Sequence, residues 1–231
     1  MEKQNRTIPV PETMLIGLLL AFVGGYLDAY TYLLHGGVFA NAQTGNMVLL
    51  FINLAEGRWT KAGYYVIPIV AFALGILVTD LLKRRFVTAR NVHWRQISVL
   101  AEFFILIVIG FLPRTVPDGV INITVSFVCA VQVASFNRLH GMGYATTMCT
   151  NNLRQAVENG VSCRIDRDKA AGSRALKYLA IIAVFCLGAL VCALAVRVFA
   201  YRSIFLCCLP LLGVWVYLFT SRDKFEFSNT P

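Results

Sequence analysis

The stretch that decides the fold is MLIGLLLAFVGGYLDAYTYLL, Met14–Leu34, which contains a single acidic or basic side chain, Asp28. A helix of about 20 apolar residues is long enough to cross the hydrocarbon core of a bilayer. Inside lipid the backbone N–H and C=O groups must pair with each other, which restricts spanning segments to helices and closed barrels. Because its apolar residues run continuously instead of alternating, this stretch predicts a transmembrane helix.

The rest of the chain has the same character. Of its 231 residues, 58% are hydrophobic and 14% are charged, and the mean hydropathy is +0.66. Soluble domains carry about 25% charged residues. We therefore expect one all-α, polytopic helical membrane domain over residues 1–231, in contact with the lipid bilayer. The six predicted transmembrane helices are Met14–Leu34, Gly63–Leu82, Ile97–Leu112, Gly119–Leu139, Ala175–Val198 and Ser203–Phe219.

Two further apolar pieces, Thr44–Ala55 and approximately Thr147–Gly160, are too short to cross. Each follows a His-Gly turn, at His35 and at His140, and the first also follows an extended-looking segment, Val38–Gln43. These features predict two short re-entrant or broken helices, which enter the membrane and return to the face they came from.

The basic residues set the predicted topology, because cytoplasmic loops of membrane proteins are enriched in Lys and Arg. With six spans and both termini cytoplasmic, 16 of the 21 Lys and Arg residues fall on the cytoplasmic side, mainly in two predicted loops, Lys83–Arg95 and Arg164–Lys177. A seven-span arrangement in which Val38–Ala55 crosses separates the charges less well and is the rival. The net charge of +9 thus follows from topology, and we expect no nucleic-acid partner.

The two halves of the chain resemble each other at an offset of about 105 residues. The pseudo-repeats cover about 12–112 and 117–220, and three crossings per half would make the second copy inverted. Inverted repeats with interrupted helices in matching positions are typical of transporters. The matching elements are His35-Gly36 with His140-Gly141, and Thr44-Gly45-Asn46 with Thr150-Asn151-Asn152.

The run Gly24-Gly25-Tyr26-Leu27-Asp28-Ala29, followed by Thr44-Gly45-Asn46, resembles the signature of the YoaK family of bacterial inner-membrane proteins. Gln132-Val133-Ala134 and Thr150-Asn151-Asn152 resemble its second, degenerate copy, in which Asn151 replaces the usual glycine. The likeness covers about residues 12–220. It implies a multi-pass protein of the bacterial inner membrane, and it implies no reaction.

Asp28 is the most informative single residue. An ionisable group near the centre of a membrane helix costs about 2.5–3.5 kcal/mol on insertion scales, so it should face the protein interior. One interpretation is a carboxylate that binds a proton or cation on a solute path. The other is a structural carboxylate that accepts hydrogen bonds from nearby N–H groups.

The two Thr-x-Asn elements are the second candidate feature. Thr and Asn are good N-cap residues, so each element is expected to begin a short helix. Two half-helices entering from opposite faces would direct two positive helix ends at one central region, where a small polar or anionic solute could bind. The alternative is that they only cap buried helix breaks. The candidate path residues are Asp28, Thr44, Asn46, Gln132, Thr150 and Asn152.

Other chemistry is not indicated. The chain has no nucleophile elbow, phosphate loop or dinucleotide fingerprint, so we expect no enzyme and no cofactor. The seven cysteines lack zinc-type spacing and His35 and His140 are predicted at opposite faces, so no metal is expected. Glu102 and Asp80 are predicted to form ion pairs at the membrane interface. The leading hypothesis is a small-solute transporter or channel-like permease. The alternative is a non-transporting accessory or interaction protein, and a homodimer is a further expectation.

Overall fold

The computed structural model describes residues 10–86, 94–139, 142–143 and 149–221, and most of these are helical. Two short 3-10 turns, Val10–Glu12 and Ala200–Ser203, and one antiparallel pair of two-residue strands, β1 (Arg138–Leu139) and β2 (Met142–Gly143), complete the described structure. The helices are α1 (Met14–Leu34), α2 (Gln43–Ala55), α3 (Trp59–Phe86), α4 (Trp94–Phe111), α5 (Asp118–Ser135), α6 (Cys149–Ile165), α7 (Lys169–Phe199) and α8 (Ile204–Thr220).

The helix lengths confirm an all-α polytopic membrane protein. Among the described residues, five helical stretches are long and apolar enough to cross a membrane. The last of them, Lys169–Thr220, contains both α7 and α8, which the turn at Ala200–Ser203 separates. The helices at the six predicted spanning positions are therefore α1, α3, α4, α5, α7 and α8.

The end of α5 differs from the prediction, since the helix stops at Ser135 and not at Leu139. Two basic side chains bind its last turn: Lys83 donates to the carbonyl of Ala134, and Arg95 Nε donates to the carbonyl of Ser135 at 2.9 Å. Cations at a helix C-terminus satisfy carbonyls that have no partner within the helix and interact well with its dipole. Side chains distant in sequence thus fix this boundary.

The second predicted basic loop, Arg164–Lys177, is also largely wrong. It is helical except for residues 166–168, because α6 continues to Ile165 and α7 begins at Lys169. Asp168 is the N-cap of α7, where its Oδ1 accepts from the backbone N–H of Ala170 at 2.8 Å. This capping bond stabilises the start of α7 at Lys169, whereas hydropathy alone predicted a start six residues later, at Ala175.

The chain folds back into the membrane after α1. The backbone N–H of Asn41 donates to Asp28 Oδ1 at 2.6 Å, and Asn41 Nδ2 donates to the carbonyl of Gly24 at 3.2 Å. Gly24 lies ten residues before the end of α1, which corresponds to about 15 Å along the helix. The 13 residues of α2 then return about 20 Å alongside α3. This is the geometry of a re-entrant segment, as its short length predicts.

The packing of α1 against α7 is the most extensive helix contact, and α3 packs in a similar way against α5. The α1–α7 crossing depends on two glycines, one in each helix, that each face the backbone of the other helix. A Cβ atom on Gly25 would overlap the carbonyl of Phe185, and one on Gly188 would overlap the carbonyl of Phe22. Small residues allow membrane helices to approach this closely, and van der Waals contact then holds them together.

The substitution Gly25→Val should destabilise the protein strongly. Its side chain would meet backbone atoms of α7 that cannot rotate away, so the two helices must separate. Overpacking a well-packed interior usually costs about 1–3 kcal/mol, and a backbone clash belongs at or above the upper end. The measurement is the thermal unfolding midpoint in detergent.

Gly63→Ala is the matched control, because a Cβ at Gly63 in α3 meets no atom within 4 Å. Its midpoint should equal that of the wild type or exceed it slightly, since Ala favours helix more than Gly. Equal midpoints for Gly25→Val and the wild type would disprove the importance of the crossing.

Candidate functional site

A cavity of about 1080 Å³ lies between α1, α3, α7 and the starts of α2 and α6. Three of the six predicted path residues line it, namely Asp28, Thr44 and Thr150. Its remaining wall is mainly apolar, with Phe72 and Phe185 on opposite helices. The other polar residues of the lining are Tyr32, Asn41, Gln43, Cys149, Asn151 and Arg154.

Asp28 lies in the wall of this cavity and is only 7% exposed. Its Oδ1 accepts the backbone N–H of Asn41, three residues before Thr44, so the carboxylate faces the start of α2. Asn41 is itself buried, and its Oδ1 has no hydrogen-bond partner in the described part of the chain. Asp28 therefore does two things at once: it fixes the fold-back and contributes charge to the cavity.

The two half-helices begin at the same cavity. Thr44 is the second residue of α2 and Thr150 is the second residue of α6, and both side chains are exposed. The surrounding residues Phe72 and Phe185 lie near the midpoints of α3 and α7. Two positive helix ends thus meet at mid-depth, where lipid-facing backbone would be unfavourable but a lined cavity accommodates it.

Thr44 does not cap α2, and this part of the prediction is wrong. The N-cap residue is Ala42, and no side-chain capping bond is formed there. The nearby turn is held by Gln43 instead, whose Nε2 donates to the carbonyl of Ala40 at 2.8 Å. A hydroxyl that makes no capping bond stays available to a ligand in the cavity.

Asn46, Gln132 and Asn152 do not belong to the cavity lining, although all three are buried. Asn46 acts as a clamp: its Oδ1 accepts from the N–H of Phe39 at 3.0 Å, and its Nδ2 donates to the Phe39 carbonyl at 2.7 Å. Gln132 Nε2 donates to the carbonyl of Leu20 at 3.1 Å, which joins α5 to α1. Asn152 lies inside α6, next to the cavity-lining Asn151.

Arg154 is a cavity residue that the sequence analysis missed. It forms an ion pair with Glu158 at 3.6 Å and a hydrogen bond with Asn151 at 3.4 Å. Its position one helical turn after Thr150 was the available signal, because residues four apart share a helix face. The cavity wall therefore holds one carboxylate, Asp28, and one guanidinium.

His35 lies outside the cavity, at the end of α1, and His140, predicted at the opposite face, lies outside the described residues. His35 Nδ1 is 2.8 Å from Asp118 Oδ1, and its ring contacts those of Tyr30 and Tyr201. Burial lowers the pKa of His35 from its ordinary value of 6.5, although Asp118 acts in the opposite direction. The described residues contain no group of three or more His, Cys, Asp or Glu able to hold a metal ion.

The two predicted ion pairs have different outcomes. Asp80 and Arg84 form one, with Arg84 Nε 2.9 Å from Asp80 Oδ2, and this prediction is confirmed. Glu102 is 2% exposed and forms no ion pair in the described part of the chain, so that prediction is wrong. Because α4 begins at Trp94, Glu102 lies near the middle of the helix, where neighbouring helices cover it.

Comparison with known proteins gives one family match and one curated relative. The family model described as "Protein of unknown function (DUF1275)" matches residues 16–217. The UPF0700 transmembrane protein YoaK of Bacillus subtilis (strain 168) is 27% identical over 216 residues, which cover 89% of this chain and 92% of that protein. These matches agree with the family resemblance seen in the sequence motifs. No solved structure matches.

The stability of the protein should depend on pH through His35. Because its pKa is lowered on folding, the unfolded chain binds the proton more tightly. The contribution is fully present above the unfolded pKa and is lost as the pH falls below about 6.5. The unfolding midpoint in detergent should therefore decrease between pH 8 and pH 5, and His35→Gln should reduce this decrease.

Asp118→Asn is the second arm of this test. It removes the carboxylate that partly counteracts burial, so acidification should lower the midpoint more steeply than in the wild type. A wild-type slope that His35→Gln leaves unchanged would show that other groups control the acid response.

Proposed function

We propose, from the premise that this chain belongs to the DUF1275 family of membrane proteins, that it is a permease for a small polar or anionic solute. The observation that carries the proposal is the cavity at which the starts of both half-helices meet. Interrupted helices whose N-termini border a central cavity form the substrate sites of many secondary transporters. The proposed path residues are Asp28, Thr44 and Thr150, joined by Arg154.

The helix contacts support an inverted repeat. Each helix of the first half, α1–α4, corresponds in order to one of the second half, α5–α8. The contact between α1 and α7 then corresponds to the contact between α5 and α3, and the contact between α2 and α3 corresponds to the contact between α6 and α7. The close helix crossings correspond as well. A Cβ on Gly75 of α3 would lie 2.7 Å from the carbonyl oxygen of Phe127 in α5, and a Cβ on Gly188 of α7 would overlap the carbonyl of Phe22 in α1. Phe22 and Phe127 are separated by the repeat offset. Such symmetry is the usual basis of alternating access.

The charges of the cavity support the proposed solute class. Arg154 and two helix N-termini favour an anionic group, while Asp28 favours a cation, a proton or a hydrogen-bond donor. The apolar wall between them excludes strongly hydrated ions. A small molecule with a carboxylate and a polar or cationic second group fits this arrangement.

The location and topology remain as proposed from the sequence. An even number of spans puts both termini on one side, and the distribution of basic residues supports the cytoplasmic face of a bacterial inner membrane. We propose transport without a chemical reaction, and hence no enzymatic activity. A homodimer stays a prediction.

A specific observation favours the alternative of a non-transporting accessory protein. The hydrogen bond from Asn41 to Asp28 shows a carboxylate already engaged with backbone, as a purely structural residue would be. The two functions differ in what they require of the cavity. Only a permease needs it to reach water and to bind a solute.

Thr44→Cys should react with a membrane-impermeant thiosulfonate reagent in intact or inverted membranes, because the cavity must reach water on at least one side. The variant is made together with Cys149→Ser, since Cys149 also lines the cavity. Leu187→Cys, exposed on the outer surface of α7, is the control that lipid should protect. If Thr44→Cys is as unreactive as Leu187→Cys from both faces, the permease proposal fails.

Asp28→Asn should abolish solute-dependent behaviour and leave the fold intact. The amide oxygen still accepts the N–H of Asn41, so the unfolding midpoint should change little. A solute is first identified by screening small polar metabolites for those that raise the midpoint of the wild type. Its uptake into proteoliposomes should then be lost in Asp28→Asn and retained in Asp80→Asn, which alters only a surface ion pair. Unchanged uptake would assign Asp28 a structural role.

A further inference from the structure

Glu102 is a buried ionisable side chain that neither the cavity nor an ion pair explains. It lies near the middle of α4, and its Oε1 has no hydrogen-bond partner among the described residues. Val99 and Leu106, which share its helix face, belong to the same buried cluster as Cys129 of α5 and Cys207 and Cys208 of α8. An isolated carboxylate in an apolar interior is very unfavourable, so such a group holds its proton until a path for release is available.

A row of buried polar groups on α5 leads to this carboxyl. Asp118, Asn122, Ser126 and Cys129 follow each other at spacings of four, four and three residues, which places them on one helix face. From the first to the last, the row is about 16 Å long. Asn122 and Ser126 are almost completely buried, and within the described ranges Asn122 Oδ1 and Ser126 Oγ have no hydrogen-bond partner.

Both ends of the row meet other ionisable groups. At the start of α5, Asp118 contacts His35, and Asn122 Nδ2 donates to the His35 carbonyl at 2.9 Å. At the other end, Cys129 belongs to the same buried cluster as Val99 and Leu106, which lie one turn on either side of Glu102 in α4, and as Leu27, which precedes Asp28 in α1. The row thus runs from a His–Asp pair, of which Asp118 is partly exposed, to the buried cluster around Glu102, and Asp28 lies beside that cluster in the wall of the cavity.

We propose that Glu102 is a proton-binding site on a proton path that runs from the His35–Asp118 pair along α5 to Glu102 and on to Asp28. Buried polar atoms without protein partners are the usual positions of internal water, and water bridging Asn122, Ser126 and Glu102 provides the intervening hydrogen bonds. A proton that reaches the Glu102 carboxylate forms a neutral acid, and its transfer to the Asp28 carboxylate restores Glu102; Asp28 then releases the proton to water in the cavity. Only O–H bonds form and break, and each cycle moves one proton.

This path is distinct from the solute cavity until it reaches Asp28. It would supply the coupling ion of the proposed permease, but it does not require that the cavity transport a solute. A protein that conducts protons and moves no solute would refute the proposed function and leave the path intact. Solute uptake that is independent of Glu102 and of a pH gradient would support the proposed function and refute the proton path.

Infrared spectroscopy of the protein reconstituted in lipid tests the proton-binding step. The wild type should show C=O stretching absorption of protonated carboxyl groups at neutral pH, and Glu102→Gln should reduce this absorption by one carboxyl group. Glu56→Gln is the matched control, because Glu56 is a surface carboxylate paired with Arg58. Its spectrum should keep the full absorption. Absorption that is unchanged in Glu102→Gln would overturn the proposal.

Proton flux into proteoliposomes with a trapped pH-sensitive dye tests the path. Under an imposed pH gradient, the wild type and Glu56→Gln should acidify the interior faster than protein-free vesicles, and Glu102→Gln should fall to the protein-free rate. Glu102→Asp keeps the carboxyl and should retain flux. Ser126→Ala, which removes only the hydroxyl on the path, should slow it. Equal flux in wild type and Glu102→Gln, or no flux in the wild type above protein-free vesicles, would also overturn the proposal.

Discussion

The close crossing of α1 and α7 is the contact on which the rest of the molecule depends. Gly25 and Gly188 each face a backbone carbonyl of the other helix, so neither position has room for a Cβ atom. In lipid, helices gain little from the hydrophobic effect, and tight van der Waals contact must hold them together. This crossing also sets the distance between Asp28, three residues after Gly25, and the helix against which the cavity forms.

The second constraint is the fold-back of residues 38–42 into the membrane. Extended backbone at that depth needs partners for its N–H and C=O groups, because lipid offers none. Asp28 binds the N–H of Asn41, and Asn46 binds both the N–H and the carbonyl of Phe39. Asp28 and Asn46 of the family motif therefore have a structural role, since they supply the hydrogen bonds that hold the re-entrant segment. The cavity results from this construction, since a half-helix leaves space beyond its first residue.

The polar groups inside the protein divide into two sets with different surroundings. One set lines a cavity that is large enough for a small molecule, and it combines Asp28 with Arg154. The other set is sealed between α1, α4, α5 and α8, where Glu102, Asn122 and Ser126 are almost completely buried. Buried polar atoms that lack a protein partner, such as Asn122 Oδ1 and Ser126 Oγ, are unfavourable unless water or a proton occupies the site. The two proposals, solute transport and proton movement, therefore concern neighbouring but separate parts of the structure.

Hydropathy and motif spacing determined the class of the protein, the positions of six helices in the predicted spans, and the existence of two further helices, α2 and α6, after the interruptions. They succeeded because continuous apolar runs and backbone pairing in lipid leave few alternatives. Asp28, Thr44 and Thr150 could be predicted together because a charge or a helix break within a membrane is itself unusual. Only the tertiary structure decided which polar residues share a space. Asn46 and Gln132 form hydrogen bonds to backbone groups and do not line the cavity, Arg154 does line it, and Glu102 is covered by its neighbours. These outcomes depend on which helix faces meet, and side chains far apart in the sequence determine that.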